Sequence, residues 1–243
     1  MKLSSCHPAN SVANHLAAPE PLAVWVREAL PILLPHRALL CGQYVPHAAG
    51  YAALQRHAFG LSTEYLNSIT VAGQHVRSPI LTRLVRTQQP QCFSVDIPDS
   101  NIPSEWIESF THAGWNNLLG LIWVDPADKE GTVTVAGFYD VPKNCLCLSD
   151  VIQARVMPLL HARLNAERTK SLLANACAHP LILTPAQQAI ASRVAQGLTT
   201  KQIAKILGKS DQTVKEQLSQ MMRKAGVRTR TELAVRLIAS QNG

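Results

Sequence analysis

The residues of this chain that could do chemistry are concentrated between Thr200 and Lys224. They carry hydroxyl, amide, carboxylate and cationic groups: Thr200, Lys201, Lys209, Ser210, Gln212, Thr213, Lys215, Glu216, Ser219, Gln220, Arg223 and Lys224. Gln side chains can pair with adenine edges, and Glu can accept a hydrogen bond from the amino group of cytosine. Lys and Arg contact phosphates. The set therefore predicts a surface that binds double-stranded DNA.

Short helices separated by glycines must position these side chains. Thr184 is suited to cap a helix that runs to about Ala195, and Gly197 would end it in a left-handed turn. A second helix begins after Thr199 or Thr200 and stops at Gly208. The pattern predicts a helix-turn-helix.

A third helix from about Asp211 to Ala225, capped by Ser210, carries most of the candidate contacts. Its apolar residues are spaced i, i+4, i+7 and i+11: Val214, Leu218, Met221 and Ala225. This spacing puts them on one helix face, so the opposite face, with Gln212 and Glu216, would be free to enter a DNA groove. The alternative is a helical adaptor that binds protein instead of DNA.

A fourth helix is predicted from about Thr231. Its apolar residues Leu233, Val235 and Leu237 are candidates for contact with a second subunit. We therefore expect a homodimer.

The charge of the chain is unevenly distributed. The formal net charge is +7, and residues 181–243 carry 10 Lys and Arg against 3 acids, which accounts for all of it. Residues 1–180 sum to zero, with 13 cationic and 13 acidic side chains. A basic module joined to a neutral one is typical of a polyanion-binding domain with a separate partner domain.

Residues 183–235 resemble the C-terminal domain of LuxR/FixJ-type transcription regulators. The matching segments are Leu183-Thr184-Pro185, Ala195-Gln196-Gly197, Lys201-Gln202-Ile203-Ala204, Leu207-Gly208, Thr213-Val214-Lys215 and Arg223-Lys224-Ala225-Gly226-Val227. The resemblance implies a four-helix domain that binds a partly palindromic site as a dimer. It also implies base reading at the positions of Lys215, Glu216 and Ser219.

The chain departs from that family at several positions. Gln187 stands where the family usually has Glu, and Glu216-Gln217 where it often has Asn-His. Lys209 replaces an aliphatic residue in the turn. Glu216 adds negative charge beside the DNA, so the departures bear on the target sequence rather than on the fold.

The N-terminal part is predicted to be a separate α+β domain with a mainly antiparallel sheet. Helices are expected over 22–34, 78–87, 103–112 and 149–176, with Leu33 facing inward in the first and Pro158 kinking or dividing the last. Strands are expected over 37–45, 117–124 and 132–139, the last two as a hairpin in which Thr132 and Thr134 face solvent. The expected boundaries are an arm at 1–18, a sensor or dimerisation domain at 19–174, a linker at 175–180 and the helix-turn-helix domain at 181–243.

The role of this N-terminal domain is left open by the sequence. Acids are too sparse near the start for a phosphorylated receiver, since residues 1–60 contain only Glu20 and Glu28. The order of elements, and LVRTQQPQCF, resemble a GAF-like α/β sandwich, and the whole chain resembles regulators that accompany exopolysaccharide gene clusters. The alternatives are dimerisation alone, an unknown small-molecule effector, an acyl-homoserine-lactone sensor and a redox-responsive regulator.

Catalysis and metal binding have little support in the sequence. Cys41 or Cys92 with His36 or His57 could form a nucleophile and base, but no nucleophile elbow, P-loop or metal motif is present. We expect neither an enzyme nor a cofactor nor a metal. The six cysteines are expected to be reduced in a cytoplasmic protein without a signal peptide or membrane-spanning segment.

Overall fold

The computed structural model describes residues 21–47, 50–71, 75–76, 78–125, 131–178 and 181–241. The predicted arm at 1–18 lies outside them. The helices of the N-terminal part are α1 (Leu22–Glu28), α2 (Leu30–Leu33), α3 (Thr63–Ser68), α4 (Pro79–Thr87), α5 (Ser104–His112), α6 (Lys143–Leu146) and α7 (Ser149–Ala178). Its strands are β1 (Ala38–His47), β2 (Gly50–Phe59), β3 (Thr70–Val71), β4 (His75–Val76), β5 (Gln91–Ser94), β6 (Asn117–Val124) and β7 (Val133–Tyr139). The C-terminal helices are α8 (Pro185–Ala195), α9 (Thr200–Leu207), α10 (Asp211–Ala225) and α11 (Arg230–Gln241).

Five strands form one antiparallel sheet in the order β2-β1-β7-β6-β5. The predicted β6–β7 hairpin is confirmed, with Leu118 opposite Tyr139 and Val124 opposite Val133. β2 and β5 were not predicted. Both lie at the edges of the sheet and carry partly exposed polar residues, so neither shows a clean apolar alternation.

Helices cover both faces of this sheet. On one face α1, α2 and α7 pack on a shared set of strand residues: Leu39, Cys41, Leu119, Leu121, Ala136 and Phe138. On the other face α3, α4 and α5 meet the intervening residues: Ala38, Leu40, Leu118, Ile122, Val133, Val135 and Tyr139. Successive strand residues therefore enter opposite layers of a three-layer domain.

The predicted wetted face of β7 is wrong. Thr132 and Thr134 are 2% and 0% exposed. Because α7 covers this face of the sheet, Thr134 instead meets polar groups on β1 and α7, namely Gln43 and His161. The alternation of Thr and Val predicted that the Thr side chains face solvent. In the structure both Thr side chains are buried, and Thr134 lies in a polar layer between the sheet and α7.

The predicted helices of the N-terminal part are present, with three corrections. Leu33 is 51% exposed rather than inward-facing. The segment forms two short helices, α1 and α2, instead of one, so its apolar residues do not share one continuous helix face. Pro158 lies inside a single 30-residue helix, α7, and does not divide it. α7 continues to Ala178, so the predicted linker at 175–180 is helical up to that residue.

The C-terminal part is a four-helix domain with its own core. Buried residues of all four helices meet there, among them Ile190, Ile203, Val214 and Leu233. Leu172 of α7 packs against the same core, so the long helix contacts both domains. The predicted fold class, an α+β domain followed by an all-α helix-turn-helix domain, is confirmed, while the GAF-like assignment stays a prediction.

Candidate nucleic-acid interface

Side-chain caps and left-handed glycines fix the helices of the interface. Ser210 Oγ accepts the backbone N–H of Thr213 at 3.0 Å and thereby starts α10. Thr199 and Gln202 form a capping box at the start of α9. Gly208 and Gly226 end α9 and α10 with φ of 61° and 64°, a conformation in which a Cβ would add strain.

α10 presents one buried and one exposed face. Val214, Leu218, Met221 and Ala225 are at most 7% exposed, as the spacing predicted. The exposed face carries Gln212, Lys215, Glu216, Ser219 and Arg223. At about 100° per residue these five positions share an arc of about 100°, over roughly 16 Å of helix. A strip of this size and polarity fits a DNA major groove about 12 Å wide.

Two polar residues on this exposed face already contact each other. Gln212 Nε2 donates to Glu216 Oε1 at 3.1 Å across one helical turn. One carboxylate oxygen of Glu216 is therefore engaged, and the amide of Gln212 is held along the helix axis. Base reading through Glu216 Oε1 or through the amide nitrogen of Gln212 requires this contact to be shared or exchanged.

Gln220 and Lys224 are also exposed, but they lie beside this strip of α10, on the side that faces α8. Lys224 Nζ donates to Gln187 Oε1 at 3.0 Å, and Gln187 Nε2 donates to Gln220 Oε1 at 3.4 Å. Gln187 is 3% exposed and also donates to Gln217 Oε1 at 3.2 Å. The structure thus uses Gln220 and Lys224 to join α10 to α8.

Exposed lysines lie on α9 and in the turn that follows it. Lys201 and Lys209 are exposed as predicted, whereas Thr200 is half-buried. Lys205 is also exposed, four residues after Lys201 on the same helix, and was missed although the i, i+4 spacing of the two lysines signals a shared face. Arg230 donates a hydrogen bond to the carbonyl of Leu198, so its guanidinium stabilises the turn between α8 and α9.

The predicted dimer contacts on α11 need a correction. Leu233 and Leu237 are 0% and 3% exposed and belong to the core of their own domain. A second subunit cannot reach them while this core is intact. Val235 is half-buried, and Ile238 is 45% exposed on the same helix.

Among the residues that the structure describes, Cys41 does not form a nucleophile–base pair with His57 or His36. Cys41 and His57 are opposite each other on β1 and β2, but Cys41 is 1% exposed and burial raises its pKa to about 12. His57 Nε2 lies 3.2 Å from Gln55 Oε1, and His36 Nδ1 lies 2.6 Å from the Leu34 carbonyl. Within the described ranges, no cluster of three or more metal-ligating side chains occurs.

A family model decides what the four-helix domain is. Residues 181–237 match the model described as bacterial regulatory proteins, luxR family. The C-terminal domain is a LuxR-type regulatory domain. The resemblance drawn from its glycines, caps and basic residues is confirmed over this part of the chain.

The remaining comparisons concern the chain as a whole. No curated protein sequence matches the chain. A crystal structure of Escherichia coli SdiA is similar with a TM-score of 0.43 and 15% identity, covering 90% of this chain and 88% of that one. SdiA in complex with octanoyl-rac-glycerol has a TM-score of 0.43 and 14% identity, covering 90% and 86%. The family assignment rests on residues 181–237.

The described residues include long helices, but crossing a bilayer requires about 20 consecutive, mainly apolar residues. Of the helices within them, none is both long and apolar enough to span a membrane. The 30-residue α7 is long enough, but charged and polar side chains recur along it, including Arg155, Arg163, Arg168 and Lys170.

Proposed function

We propose that this protein is a sequence-specific transcription regulator that binds double-stranded DNA as a dimer. The observation that carries the proposal is the exposed strip of α10 within the LuxR-type domain. Gln212, Glu216 and Ser219 supply hydrogen-bonding groups for base edges, and Lys215 and Arg223 flank them with positive charge. Lys201, Lys205 and Lys209 contact phosphates on either side of the groove.

A salt series tests the docking of α10. Binding of a fluorescent duplex is measured by anisotropy across the range from about 50 to 200 mM salt, where each lost phosphate contact lowers the slope of log K against log salt by about 0.9. We expect Lys215→Ala and Lys201→Ala each to weaken binding and to lower this slope. Lys170→Ala, which removes an equal charge from an exposed position of α7, is the matched control.

Two results would contradict the proposed docking. Unchanged binding by both Lys215→Ala and Lys201→Ala would place the DNA elsewhere. Duplex binding with no salt dependence at all, or no binding, would favour the alternative of a helical adaptor for protein. Sedimentation equilibrium tests the dimer, which we expect to form through the N-terminal domain or through Ile238 and Val235.

A second candidate function, small-molecule sensing, is favoured by an aromatic cluster under the sheet. Trp106 and Trp115 pack with Phe93, Phe110 and Tyr139 between the sheet and α3 and α5. The indole Nε1 atoms of Trp106 and Trp115 are both buried without a hydrogen-bond partner. A buried N–H without an acceptor is costly, so an effector with an acceptor oxygen would stabilise the site.

A surface cavity lies beside this aromatic cluster, and its lining residue Tyr65 packs on Trp115. It lies between α3 and α5 and is lined by Tyr65, Glu108 and His112, among others. Native mass spectrometry of the purified full chain, compared with its denatured mass, tests the idea. An extra non-covalent mass that is absent from Trp115→Phe would support a bound effector. If the protein carries no extra mass, and if no small-molecule extract changes its tryptophan fluorescence, the result would argue against an effector.

A further inference from the structure

A chain of polar side chains is buried between the sheet and α7. Gln43 of β1 and Thr134 of β7 are both 0% exposed. Thr134 Oγ1 and His161 Nδ1 lie 2.7 Å apart, and Gln43 Nε2 donates to Asn165 Oδ1 at 2.8 Å. Buried polar groups need specific partners, so these contacts fix how α7 is rotated on the sheet.

Arg168 continues this polar chain along α7. Its Nη1 donates to Gln43 Oε1 at 3.3 Å, an oxygen that also accepts from Gln55 Nε2 at 2.8 Å. Its Nε lies 3.5 Å from Oε1 of Glu232 in the LuxR-type domain. One guanidinium therefore contacts the centre of the sheet domain and the start of α11.

The Arg168–Glu232 pair is largely removed from solvent. The two side chains are 17% and 7% exposed. An ion pair in such a position is sensitive to the loss of either partner, because a single buried charge is left behind. Leu172, one turn further along α7, packs on the core of the same domain, so the charged contact has an apolar neighbour.

Glu232 has a separate role within its own domain. Its Oε2 accepts the backbone N–H groups of Arg228 at 2.8 Å and of Thr229 at 3.0 Å, and Thr229 Oγ1 accepts the N–H of Glu232 at 3.1 Å. These bonds close the N-terminal end of α11. The two oxygens divide the roles, since Oε2 caps the helix while Oε1 faces Arg168.

We propose that Arg168 is a positioning residue that fixes the orientation of the LuxR-type domain against the sheet domain. The inference rests on the proposed function, because its consequence concerns DNA. Two recognition helices reach two half-sites together only when their separation is close to one helical turn of DNA, about 34 Å. Arg168 holds each DNA-binding domain in a fixed pose relative to the domain that carries Gln43. A shift of Gln43 in the sheet would change the position of the Arg168 guanidinium and, through Glu232, the position of α11.

Hydrogen exchange of the full chain tests the contact without DNA. We expect Arg168→Ala to accelerate exchange at least tenfold in residues 165–175 and in α11, while the sheet exchanges as in the unmodified protein. Lys170→Ala, exposed two residues away, is the matched control and should leave both segments unchanged. Glu232→Gln keeps an oxygen for the α11 cap but removes the charge, so we expect it to reproduce the effect of Arg168→Ala.

A duplex pair tests the consequence for binding. The probes are a duplex selected by the unmodified protein and the same duplex with one half-site scrambled. The affinity of Arg168→Ala for the duplex with a single half-site should be within twofold of that of the unmodified protein. The ratio of its affinities for the two-site and single-site duplexes should be at least tenfold smaller than in the unmodified protein. Lys at position 168 can reach Glu232 but not Gln43 at the same time. Arg168→Lys should therefore show a two-site advantage between that of the unmodified protein and that of Arg168→Ala.

Three outcomes would overturn the inference. The first is unchanged exchange in Arg168→Ala. The second is faster exchange throughout the sheet, which would make Arg168 a residue of general stability. The third is a two-site advantage that survives the variant. If the unmodified protein selects no duplex, the proposed function fails while the exchange experiment still decides whether Arg168 holds the two domains together.

Discussion

Replacing Gln187 by Ala removes a buried amide that connects α8 to α10. Its side chain makes four hydrogen bonds, to the Thr184 N–H and to the side chains of Gln217, Gln220 and Lys224. The three side-chain partners are half-buried or exposed and can take water instead, so each lost bond costs about 0.5 kcal/mol, at the low end of the usual range.

The loss of apolar burial adds to that cost. Gln187→Ala removes one methylene group, Cγ, from a position that is 3% exposed, which costs about 0.8 kcal/mol, and the better helix propensity of Ala offsets about 0.4 kcal/mol. Together with about 2 kcal/mol for the four lost hydrogen bonds, we expect Gln187→Ala to destabilise the LuxR-type domain by about 2.4 kcal/mol. For a domain of about 60 residues, at about 8 °C per kcal/mol, this lowers the melting temperature by about 20 °C.

Circular dichroism and tryptophan fluorescence separate the two domains in this assay. All four tryptophans lie before residue 124, so fluorescence follows the N-terminal domain while far-ultraviolet dichroism follows both. The dichroism transition of the LuxR-type domain should shift and the fluorescence transition should not. Gln188→Ala, at an exposed neighbouring position, is the control and should melt within about 2 °C of the unmodified protein.

Gln187→Glu provides a second comparison. A carboxylate can still accept from the Thr184 N–H and from Lys224, and the amides of Gln217 and Gln220 can rotate to donate to it. We expect it to stay within about 1 kcal/mol of the unmodified protein. If Gln187→Ala melts like Gln188→Ala, the hydrogen bonds of Gln187 do not stabilise the packing of α8 against α10.

Three further predictions concern other parts of the molecule. In native protein, iodoacetamide should label the exposed Cys147 and leave Cys41 unmodified, because burial raises the pKa of Cys41 to about 12; labelling of both at equal rates, seen by peptide mass mapping, would contradict this. Gly226→Ala should destabilise the domain by about 1 kcal/mol through backbone strain alone, since nothing lies within 4 Å of the added Cβ, and Gly226→Asn should cost less, as urea titrations would show. Burial lowers the pKa of His36 below 6.5, against a smaller opposing effect of its hydrogen bond to the Leu34 carbonyl, so its stabilising contribution is complete above pH 6.5 and is lost as the pH falls. His36→Gln should therefore flatten the decline of melting temperature below pH 6.5, and an unchanged profile would count against this role.

The C-terminal domain could be predicted from the sequence because its signals are local. Caps at Thr184 and Ser210, left-handed glycines at Gly208 and Gly226, and the apolar spacing along α10 each act within a few residues. Each leaves a pattern that a single segment displays. The structure agrees with all of them.

The N-terminal domain was predicted less completely because its missing features depend on distant residues. β2 is recognisable only through its pairing with β1, and the burial of Thr134 requires α7 to cover the sheet. The same holds for Leu233 and Leu237, whose apolar character indicates burial without telling which surface buries them. Gln187 adds a further case, since its contacts to Gln220 and Lys224 cross from α8 to α10.

Selection of duplexes from a random pool by the full-length protein tests DNA recognition by α10 most directly. We expect enrichment of a partly palindromic sequence with two half-sites about 10 base pairs apart, centre to centre. We also expect Glu216→Gln to change the preferred base at one position of each half-site while the spacing stays the same. A pool that shows no enrichment, or an enriched sequence that is indifferent to Glu216→Gln, Ser219→Ala and Lys215→Ala alike, would contradict the claim that the exposed strip of α10 reads DNA.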